Sequence, residues 1–497
     1  MSPRRPNILH LFSDQQRADT IAALGNPILR TPVLDRLVRE GVAFTDCTTP
    51  SPVCVPARCS MHYGVYPTKT GCAKNVAMME HNDNAIPDLL GRQGYRTMAI
   101  GKCHFLPNLL DKRGYQARLT QEEGKSDPEI DDYVRFLVEN DYDDYECHGA
   151  RAEMFYLPQI SSLPEEAHPT TWISDRSIEF IREASAGDQP WMLFCSNIHP
   201  HPPFAPPKPW HKLYRTPDMP TPMIPPDADE LLTWVNRKQN HANYRDRGFD
   251  ESLARTIKAY YYATISFLDY QIGRVIEALE ETGQLDNTLI LFTSDHGEYL
   301  GDYRSYAKRS MHDAACRVPM IVRYPERFAP GTTCADPVSL VDVLPTFAAA
   351  TGAPTDDLPL DGADLAAVAR DGASGRALFS QFGRREEATY MLLNSEWKYF
   401  YSVPDRKAFL FNRTADPHDT HNLADDPSSA DRADEMKREL LAFLKRENCE
   451  EAFVEKGDRL DWREWPQPDE SYLDDPTERV NRQEYPSYEL DRPGYTD

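Results

Sequence analysis

Short apolar runs alternate with amphipathic stretches through most of the chain, the pattern of an α/β domain whose helices flank a large, mainly parallel sheet. Four runs, Asn7 to Phe12, Tyr95 to Ile100, Trp191 to Cys195 and Thr288 to Thr293, predict strands. Thr31-Pro32 supplies a cap and a first-turn proline before VLDRLVREG, a helix that stops at Gly41. A longer helix covers about Ser252 to Thr282, with Ile257, Tyr261, Ile265, Leu268, Ile272, Val275, Ile276 and Leu279 at helical spacing. From about residue 375 the texture changes. ALFSQFG, TYMLLNS, WKYFYSV and AFLFNRT are short strand-like runs between turns, so a small antiparallel sheet with a helix at about 431 to 446 is expected. Beyond Gly457 the chain is rich in Asp, Glu, Pro and Tyr without helical period; it reads as a disordered tail or an extended arm. The division is therefore an α/β domain over 1–374, a C-terminal α+β subdomain over 375–456 and a tail over 457–497 that offers a route to a homo-oligomer.

Each of the four strands runs into residues that a core would not choose. The tails are Ser13-Asp14, Gly101-Lys102-Cys103-His104, His199-Pro200-His201 and Ser294-Asp295-His296-Gly297. In an open α/β sheet, ligands bind beyond the carboxyl ends of the strands, so these tails can converge in one crevice. Asp14, Asp295 and His296 offer two hard oxygen ligands and an imidazole, a set suited to a divalent cation with open positions. Calcium or magnesium suits the carboxylates, and the histidine also admits manganese or zinc. Arg58, Lys102, His104, His199, His201 and Lys308 add cations and proton carriers, and the whole describes a site for a tetrahedral oxyanion. Sulfate and phosphate esters both qualify.

Composition narrows the field. At 497 residues the chain exceeds one ordinary core. Its 55 Lys and Arg against 79 Asp and Glu give a net charge of -24, which argues against a nucleic-acid or anionic-membrane partner. An anionic substrate must then be met by a local cluster of positive groups. The apolar run of MSPRRPNILHLFSDQQR is ended by Asp14 before it reaches signal-peptide length, and no apolar span is long enough for a bilayer. A soluble, cytoplasmic protein is expected. Ten cysteines at irregular spacings then read as reduced thiols, and the absence of Cys-x-x-Cys pairs argues against structural zinc.

One cysteine stands apart. CVPARCS places Cys54 in what reads as a loop, with Pro56 and Arg58 behind it. An isolated cysteine is usually a buried structural thiol, and a thiolate is a soft ligand poorly matched to a hard cation. Its surroundings point elsewhere. CVPARCSMHYG carries Cys-x-Pro-x-Arg with Gly64 ten residues after Cys54; GYRTMAIGKCH comes next, then YYATISFLDYQIGRVIEALEETGQLDNTLILFTSDHG, then Lys308 with Asp313 and RVP at 317–319, and finally AFLFNRTADPHDTHNLA. Together these resemble the type I, formylglycine-dependent sulfatases of the alkaline phosphatase superfamily, across residues 6 to about 425. Ala57 and Tyr63 replace commoner Ser and Thr. Gln15 and His296 stand where many relatives have Asp and Asn, a departure shared with the choline-sulfatase, iduronate-sulfatase and phosphonate monoester hydrolase branches.

The resemblance implies an alkaline phosphatase-like fold and a sulfuric ester hydrolase. It implies that a formylglycine-generating enzyme converts Cys54 to formylglycine, and that Asp14, Asp295, His296 and the modified Cys54 hold one divalent ion, calcium ahead of magnesium or manganese, with Gln15 and His199 as additional candidates. Hydrated formylglycine is a geminal diol: one oxygen attacks sulfur, and deprotonation of the other expels sulfate and restores the aldehyde. In this reading Arg58 and Lys102 position the diol. Lys308 and His201 bind the sulfuryl oxygens and protonate the leaving alcohol, while His104 is the base for elimination. The substrate is a small anionic sulfate ester, organic or carbohydrate; a phosphonate monoester or phosphodiester hydrolase is the alternative, and a silent binding protein with unmodified Cys54 the third reading. The segments 107–171 and 200–250 are the expected pocket walls, and NDYDDYEC at 140–147 reads as a solvated loop or a greeting surface for a cationic ligand.

Overall fold

Every residue of Asn7–Asp14 (β1) is buried, because both faces of the strand are covered: Ile8 and Phe12 enter one apolar layer, Leu9 and Leu11 the other. A strand buried on both sides reads as a continuous apolar run. The computed structural model describes residues 5–123, 127–142, 149–150, 155–242, 249–373 and 375–468; most of NDYDDYEC and the tail beyond 468 lie outside these. The remaining strands of the first sheet are Val42–Thr48 (β2), Arg96–Gly101 (β3), Ala117–Thr120 (β4), Trp191–Pro200 (β5), Thr288–Ser294 (β6), Arg317–Arg323 (β7), Thr332–Cys334 (β8) and Val338–Ser339 (β9). Their order is β4-β3-β5-β1-β6-β7-β2-β8, with β9 beside β2.

The block β4-β3-β5-β1-β6 is parallel throughout, while β7 runs antiparallel to both β6 and β2. The four predicted strands are therefore consecutive neighbours, and their carboxyl ends share one edge. β5 continues past the expected Cys195 to Pro200, with an irregularity against β1 between Phe12 and Asp14. Such a bulge re-aims the residues beyond it, here His199 and His201.

The layer on one face contains the long helix Glu251–Glu281, whose Leu268, Ile272, Val275, Ile276 and Leu279 pack with Ile173 and Ile181 of helix Pro169–Ala184. The helix after Thr31 forms over Pro32–Glu40, but Thr31 does not cap it. Its hydroxyl instead accepts from the Ala22 amide and donates to Asp35. The cap comes from the long helix: the Asp269 carboxylate accepts the amide hydrogens of Val33 and Leu34 at 3.1 and 2.8 Å.

The C-terminal sheet is the expected antiparallel meander, Leu378–Phe382 (β10), Thr389–Leu393 (β11), Trp397–Ser402 (β12) and Lys407–Asn412 (β13). One face is covered by Met436, Leu440, Leu441 and Leu444 of helix Ala430–Arg446. The other packs Met391, Phe400, Phe409 and Phe411 against Tyr299, Tyr303, Met311 and Ala315 of the first domain. The boundary expected at 457 falls inside a hairpin of Phe453–Lys456 (β14) and Arg459–Trp462 (β15), and Trp462 stacks on Tyr401 at 4.3 Å. Among the described residues every cysteine is a free thiol, and no helix is long and apolar enough to cross a membrane.

Asp269→Ala strips two amide hydrogens of their acceptor at the start of helix Pro32–Glu40. Chemical denaturation is expected to show a loss of about 1–2 kcal/mol, and an unchanged midpoint would show that Thr31 suffices as a cap.

Candidate active site

Parallel pairing of β1 with β6 sets Ser13 opposite Ser294, so the next residues, Asp14 and Asp295, project side by side from the sheet edge. Against them lies helix Cys54–Tyr63, every residue of which is buried. The sequence predicts a loop at Cys54; the residue is in fact the first of this helix. Pro56 is compatible because the first-turn amides of a helix have no intrahelical partner to lose. Val53 supplies no side-chain cap, and the Val55 amide donates instead to Asn75 Oδ1 at 3.0 Å. On a helix, Cys-x-Pro-x-Arg places Cys54 and Arg58 at i and i+4, on one face.

Arg58 joins the two acids. Its Nη2 lies 2.9 Å from Asp14 Oδ2 and its Nε 2.9 Å from Asp295 Oδ2. Nη1 donates to the Lys102 carbonyl at 2.6 Å and to Ser196 Oγ at 3.1 Å. One oxygen of each carboxylate is thus committed to the guanidinium, and the Oδ1 atoms turn toward His296, whose Nε2 is 3.8 Å from Asp14 Oδ1 and 3.6 Å from Asp295 Oδ1. Cys54 Sγ stands 3.1 Å from the same Nε2. Lys102, fully buried, reaches Asp14 Oδ2 at 2.8 Å and Glu123 at 2.9 Å. Gly101 before it has φ +97°, and a Cβ there would lie 2.0 Å from the Ser196 carbonyl, so only glycine lets β3 approach β5 this closely.

Donor atoms of Asp14, Cys54, Asp295 and His296 lie within 4.8 Å of one another. His296 Nδ1 is 3.0 Å from the Gly297 carbonyl, the outer hydrogen bond that directs Nε2 inward as a ligand. Two carboxylate oxygens and an imidazole fit a divalent cation with positions left open. Burial and the charge of Cys54 push the Asp14 carboxyl up, but Lys102, His201 and Arg58 outweigh them and hold it below the usual range. Burial, with Asp14 beside it, pushes Asp295 up against the pull of His296 and Arg58. Burial would raise the Cys54 thiol, yet Lys308, Lys102, His296 and a hydrogen bond from His104 bring it well below its ordinary value.

Facing this donor set are Lys308 and His201. Lys308 Nζ is 3.1 Å from His201 Nε2, and His201 Nδ1 donates to the Pro202 carbonyl at 2.8 Å. That bond fixes the tautomer: Nε2 is the acceptor and the shared proton rests on Lys308. Burial, together with Lys308 and Lys102, keeps His201 below its ordinary value, with Glu123 at 3.6 Å opposing. His104, at φ 56°, has its amide on Glu122, and its buried Nδ1 meets no hydrogen-bond partner among the described residues.

The remaining expected residues fall elsewhere. His199 lies behind the site, its Nδ1 on Thr170 Oγ1 at 3.1 Å and its ring 4.8 Å from His168; burial lowers it to about 3. Gln15 touches the site through its backbone N–H, which donates to Asp295 Oδ1 at an N···O distance of 3.0 Å, while its side chain is engaged by Lys308 and Glu298. Asp313 does not reach the centre; it pairs with Arg317 and with the buried Lys398 of β12. Sequence reasoning missed Glu122, Glu123 and Glu298. The first two come after β4, a strand whose apolar run is too short to stand out beside the four that mark the site. Glu298 stands two residues beyond His296 in SDHGE, where nothing local distinguishes it from any other acid.

Known proteins resemble this chain over most of its length. The Sulfatase family profile matches residues 6–353, and the profile for the C-terminal part of N-sulphoglucosamine sulphohydrolase matches 301–446. An arylsulfatase of Clostridium perfringens is 27% identical over 483 residues, covering 92% of this chain and 97% of its own. A choline-sulfatase of Rhizobium meliloti is 28% identical, covering 86% and 84%. The crystal structure of a phosphonate monoester hydrolase of Agrobacterium radiobacter superposes with a TM-score of 0.76 at 23% identity, covering 92% of this chain and all of that one.

Arg58→Met removes the one guanidinium that touches both buried carboxylates and leaves Lys102 to balance Asp14 alone. In metal-free protein the loss is expected to be about 3–5 kcal/mol, read by thermal or chemical unfolding. An unaltered melting temperature would mean that the acids are neutralised by something else.

Proposed function

The chain belongs to the sulfatase family, and we propose that it hydrolyses a small organic or carbohydrate sulfate ester to the alcohol and inorganic sulfate. One observation carries the reading: the Cys54 and Arg58 face of a buried helix stands over Asp14, Asp295 and His296, with Lys102, Lys308 and His201 around the same space. In a chain of net charge -24, this concentration of cations at one strand edge is what a small tetrahedral anion requires.

Asp14, Asp295, His296 and the side chain at 54 would hold one divalent ion, calcium by the hardness of the oxygen donors, with magnesium or manganese as alternatives. When bound, the ion supplies positive charge and Lewis acidity next to residue 54. Cys54 is read as the substrate of a formylglycine-generating enzyme, because an aldehyde hydrate presents the hard oxygen nucleophile that a thiol does not.

The chain's own side chains complete the chemistry. Arg58 is held by Asp14, Asp295, Ser196 and the Lys102 carbonyl, and acts as a fixed frame for the acids. Lys102 adds positive charge beside Asp14. Lys308 carries the proton it shares with His201, so it is placed to bind a sulfuryl oxygen and to donate to the departing alcohol, with His201 as the group that accepts from it. His104, one of the groups that bring the Cys54 thiol below its ordinary value, takes the role of base at residue 54. A phosphonate monoester or phosphodiester would meet the same charges in the same places.

Side-by-side rates on an aryl sulfate, choline sulfate, sulfated sugars and a phosphonate monoester test the assignment; faster turnover of the phosphonate would replace it with the alternative. Cys54→Ala is expected to lose turnover by on the order of a thousandfold or more while melting like the parent. Peptide mass spectrometry of active enzyme should find no sulfur at position 54, and an active protein with an intact thiol there would refute the modification. Asp295→Ala is expected to lose the bound metal, which elemental analysis of the purified protein reads directly.

A further inference from the structure

Lys308 sits on a segment that bends sharply: Leu300, Tyr303, Arg304, Ala307 and Arg309 all have φ between 51° and 82°, in the left-handed region that non-glycine residues avoid. One side chain ties this segment together. Glu298, fully buried, accepts the amide hydrogens of Leu300 at 2.9 Å and Ala307 at 2.7 Å on Oε1. Its Oε2 accepts from Gln15 Nε2 and lies 3.5 Å from the Tyr156 hydroxyl. Gln15 Oε1 in turn receives the Lys308 ammonium. A lysine has no acceptor, so the Gln15 amide must turn its oxygen to Lys308 and its NH2 to Glu298.

We propose that Glu298 is a positioning residue for catalysis: it shapes the backbone next to Lys308 and, through the Gln15 amide, aims the Lys308 ammonium at the substrate anion. The neutral amide matters as much as the aim. The Gln15 amide oxygen directs the ammonium without bringing a charge of its own. The inference rests on the assignment of Lys308 to the substrate's tetrahedral group.

Glu298→Gln tests it with little change of shape. The variant keeps an oxygen for Leu300 and Ala307 but sets an NH2 against the NH2 of Gln15, so the Gln15 amide must turn and release Lys308. The expected loss in kcat/KM is about 10- to 100-fold. In a Lys308→Ala background the same substitution is expected to cost less than about 3-fold, because a residue that acts through Lys308 has nothing left to position. Equal losses in both backgrounds would overturn the proposal, as would a crystal structure of the variant with Gln15 and Lys308 unmoved. Gln15→Met, which cuts the link without touching the bent segment, should reproduce the loss; full activity there would also overturn it. Wild-type turnover of an aryl sulfate judges the sulfatase assignment separately, and the cycle is run on whichever ester, sulfate or phosphonate, the wild type cleaves.

Discussion

Two carboxylates side by side at the ends of adjacent parallel strands cannot both stay buried and ionised without a cation between them, and Arg58 is that cation. Its planar fork takes Oδ2 of Asp14 and Oδ2 of Asp295 at the same 2.9 Å, a geometry that a lysine's single ammonium does not offer. By occupying one oxygen of each acid it turns the others toward His296 and Cys54. The pairing also ties helix Cys54–Tyr63 to the sheet, so residue 54 is located by the same bonds that shape the donor set. The Phe12 ring, 4.7 Å from the guanidinium, closes the remaining face.

The rest of the molecule supports that centre from two directions. The apolar layer behind the Cys54 helix, with Val55, Ala57, Cys59 and Met61 packed among Phe12, Phe44 and Leu344, holds the helix against the sheet. On the far side, the C-terminal sheet presses Phe400, Phe409 and Phe411 on Tyr299, Tyr303 and Met311, the segment that contains Lys308. The buried Lys398 of β12, paired with Asp313 and Asp419, ties the C-terminal sheet to the segment before β7 at that contact. The C-terminal sheet thus braces the segment that carries Lys308, which gives a physical reason for its place in a chain whose clustered donor atoms, on Asp14, Cys54, Asp295 and His296, all precede it.

The acids around the centre divide the labour. Asp14 and Asp295 balance Arg58, each with its second oxygen turned to His296; Glu123 bridges Lys102 and His201; Glu298 accepts from the Gln15 side chain and from the amides of Leu300 and Ala307. This is why a protein with a large negative charge can still present a positive site. Several of its negative groups are spent in orienting the few cations that point inward.

Much of this was legible in the chain itself. The doubly buried strands were visible as continuous apolar runs, and the polar tails at their ends marked the site, because residues that a core would not choose stood just where a parallel sheet delivers its ligands. What sequence could not tell was which atoms meet. Thr31 has the look of a helix cap, yet the capping oxygen comes from Asp269, far along the chain in the long helix; Cys54 reads as a loop residue, yet it starts a buried helix; His199 and Asp313 belong to motifs, yet they serve the scaffold. Glu298 was overlooked because its partners, Gln15 and the amides of Leu300 and Ala307, are brought to it only by strand order and by a sharply bent segment. Periodicity and residue type are local quantities, so the sequence alone determined the elements and the chemical inventory of the site; distances between side chains far apart in the chain depend on the packing of sheet, helix and loop, and only the tertiary structure decided them.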